Sequence, residues 1–164
     1  MSLIWMTGYS GSGKTTIAKA LQVHNQAPIL DGDQVRQRLA KGDIHGVEGQ
    51  EQNLRAVITL AQELLAEHSY VIAAFVSPKK ELRQRVQAEV EARGYQFLLI
   101  HVSTPLEICK KRDPKGLYKR LEQGDDIKLA GVNVPYDLPE HPALSCNTVD
   151  DTPEQCAEKI LQQL

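Results

Sequence analysis

The chain has 164 residues, enough for one domain with its own core, and its formal net charge of −2 offers no polybasic surface for nucleic acid or an anionic membrane. No apolar run reaches the ~20 residues of a membrane span, and Leu3 to Met6 is too short for the core of a signal peptide. Cys109, Cys146 and Cys156 lack disulfide-framework or zinc spacing and the five histidines are scattered, so a protein of the reducing cytoplasm without a bound transition metal is expected.

Short β-rich runs alternate with helical patterns along the chain. Leu3-Ile4-Trp5-Met6-Thr7 reads as a first strand, and a glycine-rich loop then opens a helix that continues through Ile17 to Leu21. Pro28-Ile29-Leu30 leads into a second strand that ends on Asp31. Leu54, Val57, Ile58, Ala61, Leu64 and Leu65 share one helical face. Tyr70 to Val76 is a third strand, and a helix from Lys79 to Arg93 closes on Gly94. Phe97 to Val102 is a fourth strand, and Pro105 starts another helix. From Asp113 to about Pro142 charges, prolines and glycines replace the periodic pattern. Pro153, with Thr152 as N-cap, starts the last helix. Strands that are apolar throughout, alternating with helices, predict an α/β three-layer sandwich built on a parallel sheet.

Gly8-Tyr9-Ser10-Gly11-Ser12-Gly13-Lys14-Thr15 satisfies G-x-x-x-x-G-K-[ST], after a strand and before a helix. Glycines let successive N–H groups point inward, so the helix N-terminus becomes an anion nest. Gly8, Ser10, Gly11, Ser12, Gly13, Lys14, Thr15 and Thr16 are therefore the expected holders of a nucleoside triphosphate. Lys14 is expected on the β- and γ-phosphates and the Thr15 hydroxyl on Mg²⁺.

In "ILDGDQVR", Asp31 and Asp33 stand at a strand's carboxyl end, beside the loop in this topology. Two acids there can hold Mg²⁺ and take a proton from an attacking hydroxyl; Asp31 is favoured as the base, and Asp33 as helper to the metal and helix cap. Arg36, one helical turn on, suits an anionic acceptor. No N-K-x-D motif for reading guanine is present, which argues against a GTPase. "RDPKGLYKR" carries Arg112, Lys115, Lys119 and Arg120 in the irregular segment. Its residues predict a lid, about 113–132, that closes over phosphates and excludes water.

The motifs "GYSGSGKTT", "LDGDQVR", "AAFVSP", "TPLEICKKRDPKGLYKR" and "VPYDLPEHP" resemble, in order and spacing, those of the adenylylsulfate (APS) kinases. The resemblance implies a single P-loop kinase domain over residues 1–164, with ATP and Mg²⁺, phosphorylating the ribose 3′-hydroxyl of adenylylsulfate. It implies Arg112 on the ATP, and Arg36, Asn53, Arg55, Phe75, Lys115 and Lys119 toward the acceptor. Ser77 matches a serine described as a phosphoserine intermediate, although direct in-line transfer is the simpler chemistry. Family members are commonly homodimers, often through an arm before the first strand; this strand starts at residue 3, so no such arm is expected.

Departures from the family pattern fall on the acceptor side. His45 and Leu129 stand where the family has phenylalanines, and Gln50 and Ala56 where it has arginines. A base stacked on an aromatic ring is worth about 1–3 kcal/mol, and a charged hydrogen bond about 1.5–3 kcal/mol. These exchanges predict a pocket reshaped away from adenylylsulfate. A second activated nucleotide, such as cytidine diphosphoramidate, is the alternative acceptor. A non-catalytic ATP-binding regulator is the third reading, and the intact acids and lid speak against it.

Overall fold

The run SLIWMT shows no alternation of apolar and polar residues, as a strand covered on both faces requires. It forms β1 (Ser2–Thr7), and all six of its residues are buried. The computed structural model describes residues 1–32, 35 and 47–164, with 47–52 described by their helix alone. Asp33, Arg36 and His45 therefore lie outside the described residues, as does the side chain of Gln50.

The strands β2 (Ile29–Asp31), β3 (Tyr70–Ala74), β4 (Gln96–Val102) and β5 (Leu144–Cys146) complete a sheet of order β2-β3-β1-β4-β5. Every neighbouring pair is parallel. All carboxyl ends thus meet at one edge, where Asp31 and Met6 both lie level with Ala74, and Thr7 lies level with His101. Ligands of open parallel sheets bind at that edge.

Six helices are described: α1 (Lys14–Asn25), α2 (Val47–Leu65), α3 (Lys80–Glu91), α4 (Leu106–Arg112), α5 (Leu117–Glu122) and α6 (Pro153–Leu161). Side chains of β1 alternate between two cores. Ile4 and Met6 join Ile17, Leu21, Cys156 and Ile160 of α1 and α6, whereas Leu3 and Trp5 join Val57, Ala61, Val86 and Val90 of α2 and α3. This is the three-layer sandwich that the apolar strands imply. A third, small cluster of Cys109, Tyr118 and Leu129 sits apart, with Tyr9 and Leu121 packed against it.

The last helix starts as its residues dictate: Thr152 and Gln155 form a reciprocal capping box ahead of the α6 interior, and Pro153 occupies the first turn. Three elements differ from the expectation. β3 ends at Ala74 rather than Val76, because Ser77, at φ 44°, turns the chain out of the sheet. β5 adds three residues at the edge, too short for a periodic signal. Within the irregular stretch, α5 forms because the Asp113 carboxylate accepts the Tyr118 and Lys119 N–H groups at 3.1 and 3.0 Å.

Candidate active site

Between β1 and α1 the chain has to reverse tightly, and glycine makes that turn. Gly13 is the N-cap of α1 at φ 106°, where a Cβ would lie 2.9 Å from the Thr148 methyl. A Cβ on Gly8 would come 2.5 Å from the Val102 carbonyl oxygen. Two threonines support the loop from behind. The hydroxyls of Thr104 and Thr148 each lie 2.9 Å from the Ser12 carbonyl and 2.8 Å from each other, so two protons serve three contacts. Arg112 fixes Thr148 in turn, donating to its hydroxyl at 2.7 Å and its carbonyl at 3.1 Å.

Lys14 is buried, and its ammonium donates to the Gly8 and Tyr9 carbonyls at 2.8 and 2.7 Å. The cation is thus held on its own loop. Burial pushes its pKa down to about 8; the Lys115 cation adds to the depression, while Cys109 and Asp31 oppose it. Lys115, from the proposed lid, therefore lies within electrostatic reach of the loop lysine.

The Thr15 hydroxyl donates to the Asp31 carboxylate at 2.9 Å. A hydroxyl and a carboxylate, both hard oxygen donors and open to solvent on the Thr15 side, fit a Mg²⁺ ion carried by a nucleotide. Thr16, next on α1, is exposed.

On the other side of β1, Phe75 is half-buried and stacks on Trp5, with centroids 5.0 Å apart. Beyond it, the Thr7 hydroxyl meets the Val76 carbonyl at 2.6 Å and the Tyr136 hydroxyl at 2.9 Å. Asn53 is half-buried on α2. Arg55 opens elsewhere: it lines a groove of about 390 Å³ between α2 and α3 with Arg85, Glu89 and Arg93, none of them a residue of the loop, the β2 end or the Phe75–Ser77 turn.

The segment after α4 folds over the glycine loop. The Tyr118 hydroxyl donates to the Ser10 carbonyl at 2.8 Å, and Pro114 faces Gly11. The Tyr9 ring lies on Gly131, whose Cα leaves no room for a Cβ. Leu129 is 5 % exposed and belongs to the small cluster with Cys109 and Tyr118, so its side chain forms the segment's own core. Of the four cations of "RDPKGLYKR", Arg112 is committed to Thr148 and Arg120 to Asp125 at 2.7 Å, while Lys115 and Lys119 are exposed.

Lys14, Thr15, Asp31, Phe75, Ser77, Arg112 and Lys115 are thus gathered at the carboxyl edge. Thr104, Thr148 and Arg83 also support the site and were not anticipated. A lone threonine after a strand, or one arginine in a charged helix, carries no periodic or motif signal.

The chain has well-defined relatives. A family profile described as adenylylsulphate kinase matches residues 1–147. The adenylyl-sulfate kinase of Staphylococcus epidermidis is 37 % identical over 168 residues, covering 99 % of this chain and 83 % of that one. The probable adenylyl-sulfate kinase of Bacillus subtilis is 36 % identical over 166 residues, covering 98 % and 83 %. Among solved structures, the Mycobacterium tuberculosis APS kinase CysC in complex with AMPPNP and APS superimposes with a TM-score of 0.88 at 29 % identity, covering 99 % of this chain and 96 % of that one. With its glycine loop, its parallel sheet and its kinase relatives in agreement, the chain belongs to the adenylylsulphate kinase family.

Proposed function

We propose that this protein transfers the γ-phosphate of ATP to the ribose 3′-hydroxyl of adenylylsulfate, within one domain whose segment 113–132 acts as the lid. The observation that carries this reading is the placement of Lys14 and the Thr15–Asp31 pair on one side of β1, with the Phe75–Ser77 turn on the other, at one sheet edge. A donor and an acceptor held there would meet across the end of β1.

Lys14 leaves the Gly8 and Tyr9 carbonyls for the β- and γ-phosphates, and the backbone N–H groups from Gly8 to Thr16 receive the remaining oxygens. Thr15 and Asp31, with Asp33, would hold Mg²⁺, which supplies charge neutralisation on the phosphates. An aspartate of the Asp31–Asp33 pair takes the proton from the 3′-hydroxyl. The 3′-oxygen bonds to the γ-phosphorus, the bond to the β,γ-bridging oxygen breaks, and ADP leaves. The 2.9 Å bond to Thr15 favours Asp31 for the metal shell, which gives it a role beside that of base. Ser77 contributes its backbone turn to in-line transfer and forms no covalent intermediate. Phe75 offers a face for the acceptor's base, and Lys115 and Lys119 close over it from the lid; Arg36, His45, Gln50 and Asn53 are further acceptor contacts on the strength of their sequence motifs alone. Leu129 belongs to the lid's own core, packed with Cys109 and Tyr118 over the glycine loop.

Relatives named for adenylyl-sulfate across the full length support this acceptor, and no observation favours cytidine diphosphoramidate over it. Turnover of the purified protein with Mg-ATP against a panel holding both nucleotides tests the reading. A kcat/KM for adenylylsulfate of about 10⁴ M⁻¹s⁻¹ or more is expected. Turnover of another nucleotide with none of adenylylsulfate would overturn the assignment.

A further inference from the structure

Arg83, on the first turns of α3, is 3 % exposed. A guanidinium is costly to bury without an anion, because its hydration is lost and nothing of opposite charge replaces it. Among the described residues no carboxylate pairs with it. Its Nη1 donates instead to the Ser77 carbonyl at 2.7 Å, its Nη2 to the Asp137 carbonyl at 2.6 Å, and its plane lies 5.9 Å from the Tyr136 ring centroid.

Ser77 and Asp137 belong to the acceptor side, and Tyr136 stands between it and the glycine loop, its ring centroid 4.9 Å from that of Tyr9. Ser77 is held at φ 44°, a left-handed conformation that a serine adopts only when its surroundings enforce it. The Asp137 N–H donates back to the Pro78 carbonyl at 2.8 Å, and the Asp137 carboxylate accepts the Lys80 N–H at 3.0 Å. The Tyr136 hydroxyl reaches Thr7, which also holds the Val76 carbonyl. The turn after β3 and the segment around Tyr136 are therefore sewn together, with both nitrogens of one arginine fork at the centre. Lysine offers one nitrogen in place of the planar fork that reaches the two carbonyls with separate nitrogens, so it matches this geometry only in part. The charge is felt nearby: burial first, and then Arg83, hold the His101 imidazole below its ordinary pKa.

We infer that Arg83 is a positioning residue for the acceptor: by clamping the Ser77 and Asp137 carbonyls it fixes the Phe75–Pro78 turn against Tyr136, and so sets acceptor affinity while leaving the ATP site alone. The inference rests on the reading of that turn as the acceptor side. Its first prediction is a split in kinetic constants. Arg83→Gln should raise KM for adenylylsulfate at least tenfold and change KM for ATP less than twofold, with Arg83→Lys recovering only part of the loss. The Kd for Mg-ADP, measured on the same preparations, should match that of the unaltered protein and shows that the variants are folded.

Parallel rises in both KM values, or a fall in Tm with both KM values unchanged, would overturn the inference, since a purely structural arginine gives those results. If the unaltered protein fails to phosphorylate adenylylsulfate, the proposed acceptor falls, and the clamp is judged by amide exchange. The Lys80 and Asp137 amides should then exchange at least tenfold faster in Arg83→Gln; unchanged exchange would overturn the clamp as well.

Discussion

Lys14 spends its folded life paired with two carbonyls of its own loop, and that arrangement predicts a specific pH dependence of nucleotide binding. In the free protein burial lowers its pKa to about 8, from an ordinary 10.5. Two phosphates facing the ammonium would restore the charged form throughout the neutral and mildly basic range. Binding therefore takes up a proton whenever the free lysine has lost one. With a free pKa of about 8, the amine is about nine-tenths charged at pH 7 and one-tenth charged at pH 9. The Kd for ATP should accordingly rise about tenfold between those values, or about 1.4 kcal/mol. Calorimetry in two buffers of different ionisation enthalpy reads the same effect directly, as uptake of about half a proton at pH 8. Lys14→Met should bind weakly, with no slope over this range. A Kd that stays flat from pH 7 to 9, without proton uptake, would refute the reasoning.

The same shift acts on stability with the opposite convenience. The unfolded chain holds the Lys14 proton up to its ordinary pKa of 10.5, and the folded chain only up to about 8, so the unfolded state binds more protons between those values and stability rises with pH across that window. Below pH 8 the full cost is present, about 3 kcal/mol. That is a sizeable fraction of what keeps a domain folded, and it is returned when phosphates arrive.

Two further substitutions test how the loop is braced. Gly13→Ala places a Cβ at φ 106° and 2.9 Å from the Thr148 methyl, so it should lower Tm by about 5 °C, from roughly 2 kcal/mol of strain, and raise KM for ATP; unchanged values of both would show that the turn tolerates a side chain. Tyr118→Phe leaves the Ser10 carbonyl without its donor at 2.8 Å, at a cost of about 1 kcal/mol, and should speed tryptic cleavage within 113–132 in the nucleotide-free protein, an effect that equal cleavage rates would disprove.

The fold was legible where hydrophobicity alone decides it. β1, β3 and β4 are buried on both faces, and the helices between them show one apolar stripe, so a covered parallel sheet was the one way to bury both. The short pieces escaped for a physical reason. β5 holds three residues and is defined by a neighbour 44 positions away, since Val102 pairs with Cys146; no local pattern can announce it. α5 forms on the Asp113 carboxylate cap, which leaves no hydrophobic period, and on a tyrosine that reaches the distant glycine loop.

The site divides along the same line. The nucleotide loop is a local object, in which eight consecutive residues carry the turn, the anion nest and the cation, and it could be read from the chain directly. The proposed acceptor side is assembled from segments far apart: Phe75 lies on Trp5, Ser77 is tied through Arg83 to Asp137, and Thr7 joins Val76 to Tyr136. Leu129 illustrates the consequence. Compared with a motif it looked like an exchange in a base-stacking position, whereas in the fold it is a core residue of the segment over the loop, packed with Cys109 and Tyr118. A larger aromatic at that position would have to displace Tyr118 or Tyr9, and both of these touch the glycine loop, Tyr118 through Ser10 and Tyr9 as a member of it. A change made to adjust the acceptor would then be felt first by the donor. Leu129→Phe should therefore raise KM for ATP at least as much as it alters KM for adenylylsulfate, and the reverse ordering would return this side chain to the acceptor pocket.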